Sequence, residues 1–131
     1  MDDVITMRLD RISIASGLNR IEFYFKPRNK MITRMWHGRV LTSNAKAYRE
    51  FTIARAIPDY QSVEGNISVH VLERTEGEIT HFITLTFWKD LDSIRAFAGD
   101  DVEAAKYYPE DQEFLLEFEP RVVHYEVVGH S

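Results

Sequence analysis

The stretch Thr80-His-Phe-Ile-Thr-Leu-Thr-Phe-Trp-Lys-Asp-Leu-Asp-Ser-Ile-Arg-Ala-Phe-Ala-Gly99 passes from a β-branched and aromatic strand into a helix whose start is marked by Asp90 and Asp92. Successive side chains of a strand alternate between the two faces of its sheet. Thr80, Phe82, Thr84, Thr86 and Trp88 therefore share one face, and His81, Ile83, Leu85 and Phe87 the other. Both faces carry bulk that water solvates poorly. A sheet that needs cover on both sides asks for more than one or two short helices supply. A second copy of the chain is the simplest remaining cover.

Working outward, residues 31 to 128 continue as β-α-β-β-α-β. A strand over Ile32 to Val40 leads to Thr42, Ser43 and Asn44, N-cap candidates for a first helix. Tyr48, Phe51, Ile53 and Ile57 give that helix an apolar side, and Pro58 is expected to end it. Glu64-Gly65-Asn66 turns into a strand over Ile67 to Arg74, and Glu76-Gly77 forms a hairpin turn into the strand over Ile79 to Lys89. A second helix spans Asp92 to Ala98 and stops at Gly99. Further helical turns are expected over Asp101 to Tyr107, and a last strand over Val122 to Val128. Two β-α-β halves of this kind predict an α+β, ferredoxin-like antiparallel sheet with both helices on one face. The other face, with Ile83, Leu85 and Phe87, is expected to close against a twin as a homodimeric α+β barrel. Residues 1–30 stand apart from the domain at 31–131. Arg11 to Ser16 and Ile21 to Phe25 read as two short strands, Pro27 interrupts the chain, and this N-terminal extension receives no role.

Composition narrows the function. With 131 residues, 44% hydrophobic and 28% charged, the chain has the balance of one globular domain. It has no cysteine, which removes disulfides, thiolate metal sites and cysteine nucleophiles together. A cytoplasmic location is compatible with that absence. No apolar run reaches the roughly 20 residues that span a bilayer, and the N-terminus lacks the order of a signal peptide. A net charge of -5 argues against nonspecific nucleic-acid binding.

Four pieces carry a family likeness: Glu64-Gly65 before the second strand, Leu85-Thr86-Phe87-Trp88-Lys89, Asp92-Ser93-Ile94-Arg95-Ala96-Phe97, and the closing His124-Tyr125-Glu126-Val127-Val128. In these the chain resembles the antibiotic-biosynthesis monooxygenase family of the dimeric α+β barrel superfamily, over residues 31 to 128. The family includes cofactor-free oxygenases of aromatic polyketides and quinols, heme-degrading enzymes, and members without an assigned activity. The heme-degrading branch pairs an asparagine on the first strand with a tryptophan in the second helix and a histidine after it. Counting from Trp88 places Phe97 and Tyr107 at the last two positions and brings the asparagine position near His37, so none of the three is kept. Heme degradation of that type is not expected, although tyrosine can ligate heme iron.

Of the five histidines, His37, His70, His81, His124 and His130, none forms a short metal-ligand spacing, and no metal site is expected. His37 and His124 lie on the first and last strands, where both can project between sheet and helices. There either would relay a proton at neutral pH, or serve as a core histidine bonded to backbone. Trp88, Phe97, Tyr107 and Tyr108 gather around the second helix as the wall of a pocket for a flat substrate, or as ordinary packing. Glu110-Asp111-Gln112-Glu113 reads as a solvated turn. The resemblance then implies cofactor-independent oxygenation of a small aromatic or quinol-type substrate. His37 or His124 would be the base, and Tyr107 or Tyr108 would hold the substrate oxygen. A non-catalytic binding or stress-response dimer with the same cavity is the alternative.

Overall fold

The structure, a computed structural model, describes residues 31–131. The two strands expected over Arg11 to Phe25, with the rest of the extension, lie outside the described residues. Strand β1 (Ile32–Leu41) leads through a 3-10 turn at Thr42–Asn44 into helix α1 (Ala45–Gln61). Strands β2 (Asn66–Glu76) and β3 (Ile79–Trp88) form a hairpin, α2 (Leu91–Ala98) follows, and β4 (Val123–Glu126) closes the sheet. The order is β2-β3-β1-β4 with every neighbouring pair antiparallel, the ferredoxin-like α+β arrangement.

The alternation of β3 holds residue for residue. Thr80, Phe82, Thr84, Thr86 and Trp88 are buried beneath the helices, and the residues between them are half-buried on the open face. The Asp90 carboxylate caps α2, accepting from the Ser93 backbone N–H and hydroxyl. The core forms two clusters. One gathers Trp36, Val40, Tyr48, Phe82, Leu115 and Val122, and the other Ile32, Ala56, Tyr60, Trp88, Ile94 and Phe97.

Three local expectations are corrected. Helix α1 runs past Pro58 to Gln61 and buries Ala45, Tyr48, Thr52, Ala56 and Tyr60, leaving Ile53 48% exposed. Pro58 sits in the last turn, where the missing N–H costs one bond, and the buried Tyr60 beyond it holds the turn in place. Second, Asp101–Tyr107 is not helical. Ala104 bridges Arg121, the Ala105 N–H bonds to the Pro120 carbonyl, and the Val122 N–H bonds to that of Glu103. The buried Arg34 guanidinium takes the carbonyls of Val102 and Ala104 at 2.5 and 3.0 Å, which a helix would need for itself. Third, the acidic run is a 3-10 turn over Pro109–Glu113 that turns Asp111 inward to 2% exposure.

Candidate functional site

Between sheet and helices lies a hollow lined by Trp36 and Thr84 from the sheet, Tyr48, Phe51, Thr52, Ala56 and Tyr60 from α1, and Lys106, Tyr108 and Asp111 from the crossing segment. Trp36 and Thr84 are register partners on β1 and β3, so the floor is continuous sheet. The space within it open to water-sized groups is about 20 Å³, room for about one water molecule. Partly exposed Phe51, Tyr108 and Lys106 form the rim.

Asp111 gives this hollow its chemistry. Its carboxylate accepts the Tyr48 hydroxyl at 2.8 Å and the Tyr108 N–H at 2.7 Å. Burial pushes its pKa up from the ordinary carboxylate value, while the hydrogen bonds from Tyr108 and Tyr48 pull the other way. A carboxylate held in this way is a stronger base than one in water. Tyr48 is driven up by burial and by the Asp111 charge, and Tyr60 is pushed up to about 12 by burial, so both stay protonated at neutral pH. The Tyr108 hydroxyl donates to Asp59, and the Lys106 ammonium lies 4.0 Å above the Phe97 ring. Asp111 was missed because an acid in an acidic run is usually solvated. One signal was present: Pro109 opens a turn in which Asp111 stands three residues after Tyr108, the spacing of a reciprocal cap.

Of the six site residues expected from the sequence (His37, His124, Trp88, Phe97, Tyr107 and Tyr108), Tyr108 alone lines this hollow. His124 does project beneath the helices, where the Arg34 guanidinium lies 3.2 Å from its Nε2. Since guanidinium only donates, Nε2 accepts and the ring proton sits on Nδ1. Burial, then the Arg34 charge, push its pKa down to about 3, leaving a very weak base. His37 faces the opposite way from the expected direction, because Trp36 and Gly38 beside it take the helix side. On the open face it stacks on His81, its Nε2 3.0 Å from His81 Nδ1 and its Nδ1 2.6 Å from Glu119. Trp88 is fully buried and its indole N–H donates to Thr86, while Phe97 stacks on Tyr60 at 4.3 Å. Tyr107 donates its hydroxyl to the Glu119 carbonyl and meets Trp36 edge-on. Among the described residues no cluster of metal-ligating side chains occurs, and no helix is long and apolar enough to cross a membrane.

Solved structures resemble this arrangement. A protein from Nitrosomonas europaea, provisionally named an antibiotic biosynthesis monooxygenase, superposes with a TM-score of 0.57 at 17% identity, covering 81% of this chain and 96% of its own. Similarly named proteins from Bacillus cereus and Bordetella bronchiseptica give TM-scores of 0.55 and 0.52 at 12% and 19% identity. They cover 79% and 76% of this chain and 98% and 99% of their own. The chain shares their fold. Identity this low transfers the monooxygenase-like architecture and no chemistry. No protein-family profile and no curated relative match the sequence.

Proposed function

We propose that this protein is a homodimeric, monooxygenase-like enzyme that oxygenates a small phenol- or quinol-type substrate without a cofactor, in the hollow between sheet and helix α1. The observation that carries the reading is Asp111, a buried carboxylate of raised pKa inside an aromatic-lined hollow. Asp111 replaces His37 and His124 as the proton acceptor. In a phenol with an open para position, Asp111 takes the hydroxyl proton and the phenolate reduces dioxygen directly. One oxygen atom bonds to the ring carbon and the other leaves as water with the two substrate protons, giving the quinone. All four electrons come from the substrate, so no external reductant enters. The protein contributes orientation, water exclusion and a base.

Oxygen uptake measured with a panel of naphthols and quinols tests this reading. Asp111→Asn is expected to lower kcat by at least about 100-fold with binding retained. An unchanged rate on a confirmed substrate overturns Asp111 as the base. The competing reading, a dimer that binds without turnover, draws on the narrowness of the hollow and the weak basicity of His124. Ligand binding with no oxygen uptake across the panel would establish it instead.

A further inference from the structure

We infer that His37 and His81 form a single proton site on the open face of the sheet, one proton held between their facing ring nitrogens, and that closing this face on a twin subunit is linked to that proton. Side chains from β1, β2, β3 and the segment before β4 make one hydrogen-bonded line. His37 Nδ1 lies 2.6 Å from Glu119, His37 Nε2 lies 3.0 Å from His81 Nδ1, and His81 Nε2 lies 3.0 Å from Glu76. The ring centres are 5.3 Å apart, which leaves little more than a ring radius on each side of the 3.0 Å gap. The facing nitrogens therefore lie close to the line joining the centres, each aimed at the other.

Three hydrogen bonds in a row need three protons. Ionised carboxylates supply none, and a neutral imidazole supplies one. When both neutral rings donate outward, to Glu119 and Glu76, two lone pairs meet at 3.0 Å with nothing between them. A third proton completes the line, and imidazole is a stronger base than a carboxylate, so that proton belongs to the histidine pair. A metal ion does not replace it, because two metal–nitrogen bonds of about 2.0–2.1 Å laid along this line exceed its length. Once the proton leaves, the bond to Glu76 is the one given up, since the other oxygen of that carboxylate already holds Arg74 at 2.9 Å.

The neighbouring charges make this proton the balancing one. Arg39 on β1 and Arg74 on β2 are the register partners of His81. Arg39 is held by both oxygens of Glu117, at 3.0 and 2.7 Å. The patch thus sets the cations Arg39 and Arg74 against the carboxylates Glu76, Glu117 and Glu119, and the shared proton brings it to neutrality. His70, farther along β2, bonds to the Ser68 hydroxyl and stays outside the line. The His37 and His81 side chains are 31% and 28% exposed, so water screens the imbalance in a single subunit. A twin laid over the face removes that water, and an uncompensated charge buried there is unfavourable. Proton loss as pH rises therefore loosens the contact. That coupling, unlike the shared proton, rests on the proposed homodimer.

Ring nitrogen-15 spectra of the full-length protein between about pH 5.5 and 8.5 test the site, and sedimentation over the same range tests its coupling to assembly. The two rings are expected to titrate as one unit, releasing a single proton in one common step, with His37 Nδ1 protonated throughout. Rings that titrate independently, or facing nitrogens that both lack a proton at the acidic end, overturn the site. His81→Gln should leave His37 titrating alone; should that variant fail to fold, the wild-type spectra still decide. The dimer dissociation constant is expected to rise with pH by up to about 100-fold per unit, the limit for two linked protons, and His81→Gln should lose most of that slope. A dimer indifferent to pH overturns the coupling. A monomer at every pH overturns the proposed homodimer, and the coupling with it, and leaves the shared proton standing.

Discussion

His124 and Asp111 are two buried titratable groups with opposite effects on stability. His124 starts from about 6.5 when the chain is unfolded and falls to about 3 when folded, because burial and the Arg34 cation both disfavour the imidazolium. Between those values the unfolded chain holds the extra proton, so this group stabilises the fold fully above pH 6.5 and progressively less as pH falls. Its largest slope is about 1.4 kcal/mol per pH unit. Asp111 works against it. Its folded pKa lies above the ordinary carboxylate value, so just above that value the native state holds the proton and stability drops as pH rises. His124→Gln keeps an acceptor for Arg34 and removes the titration. Urea midpoints at pH 7, 5.5 and 4.5 should therefore fall less steeply in the variant than in the wild type. Parallel slopes would show that the native imidazole titrates normally.

At the level of elements, the sequence is readable wherever periodicity and local capping decide. The two-residue rhythm of β3, the Asp90 cap and the Gly77 turn all stand where the pattern puts them. It is unreadable where a long-range partner decides. Nothing local to Asp101–Tyr107 announces that Arg34, 68 and 70 residues before the two carbonyls it binds, will hold that segment extended. The same limit hid the site. Tyr108 was legible as one of the aromatics expected around the second helix, whereas the burial of Asp111 depends on Tyr48 coming across from α1. His37 is a different failure, since the parity of Trp36 and Val40 in the first strand already placed it on the open face. Arg34 thus links β1 to the segment that supplies Lys106, Tyr108 and Asp111. Arg34→Leu leaves two buried carbonyls and His124 without their donor and should cost about 3 kcal/mol. Hydrogen exchange over residues 102–108 should rise more than elsewhere; a loss of stability spread evenly over the fold would contradict this link.

For the molecule as a whole, the open face of the sheet is where the proposed dimer is tested. Thr33, Met35, Phe87, Leu85, Ile83, Leu72, Val123 and Tyr125 share it, with Leu72 44% and Tyr125 54% exposed, and among the described residues no helix lies across it. The apolar part of this face, beside His37, Arg39, His70, Arg74 and His81 on the same side, is unfavourable in water at about 25 cal/mol for each Å² left uncovered. The proposed homodimer removes that cost by packing the face on its twin. Leu85 lies in the middle strands, paired with Met35 on one side and His70 on the other, which puts it at the centre of the proposed contact. Leu85→Asp would bury a carboxylate there without a partner, a penalty of several kcal/mol. The variant should elute as a monomer or aggregate, while Leu85→Met, which keeps volume and polarity, should stay dimeric. The hollow lies on the other side of the sheet, and the Trp36 and Trp88 indole resonances of a soluble Leu85→Asp monomer should remain at their wild-type positions. A folded Leu85→Asp protein that still sediments as a dimer would place the subunit contact elsewhere, because no well-packed apolar seam tolerates that charge at its centre.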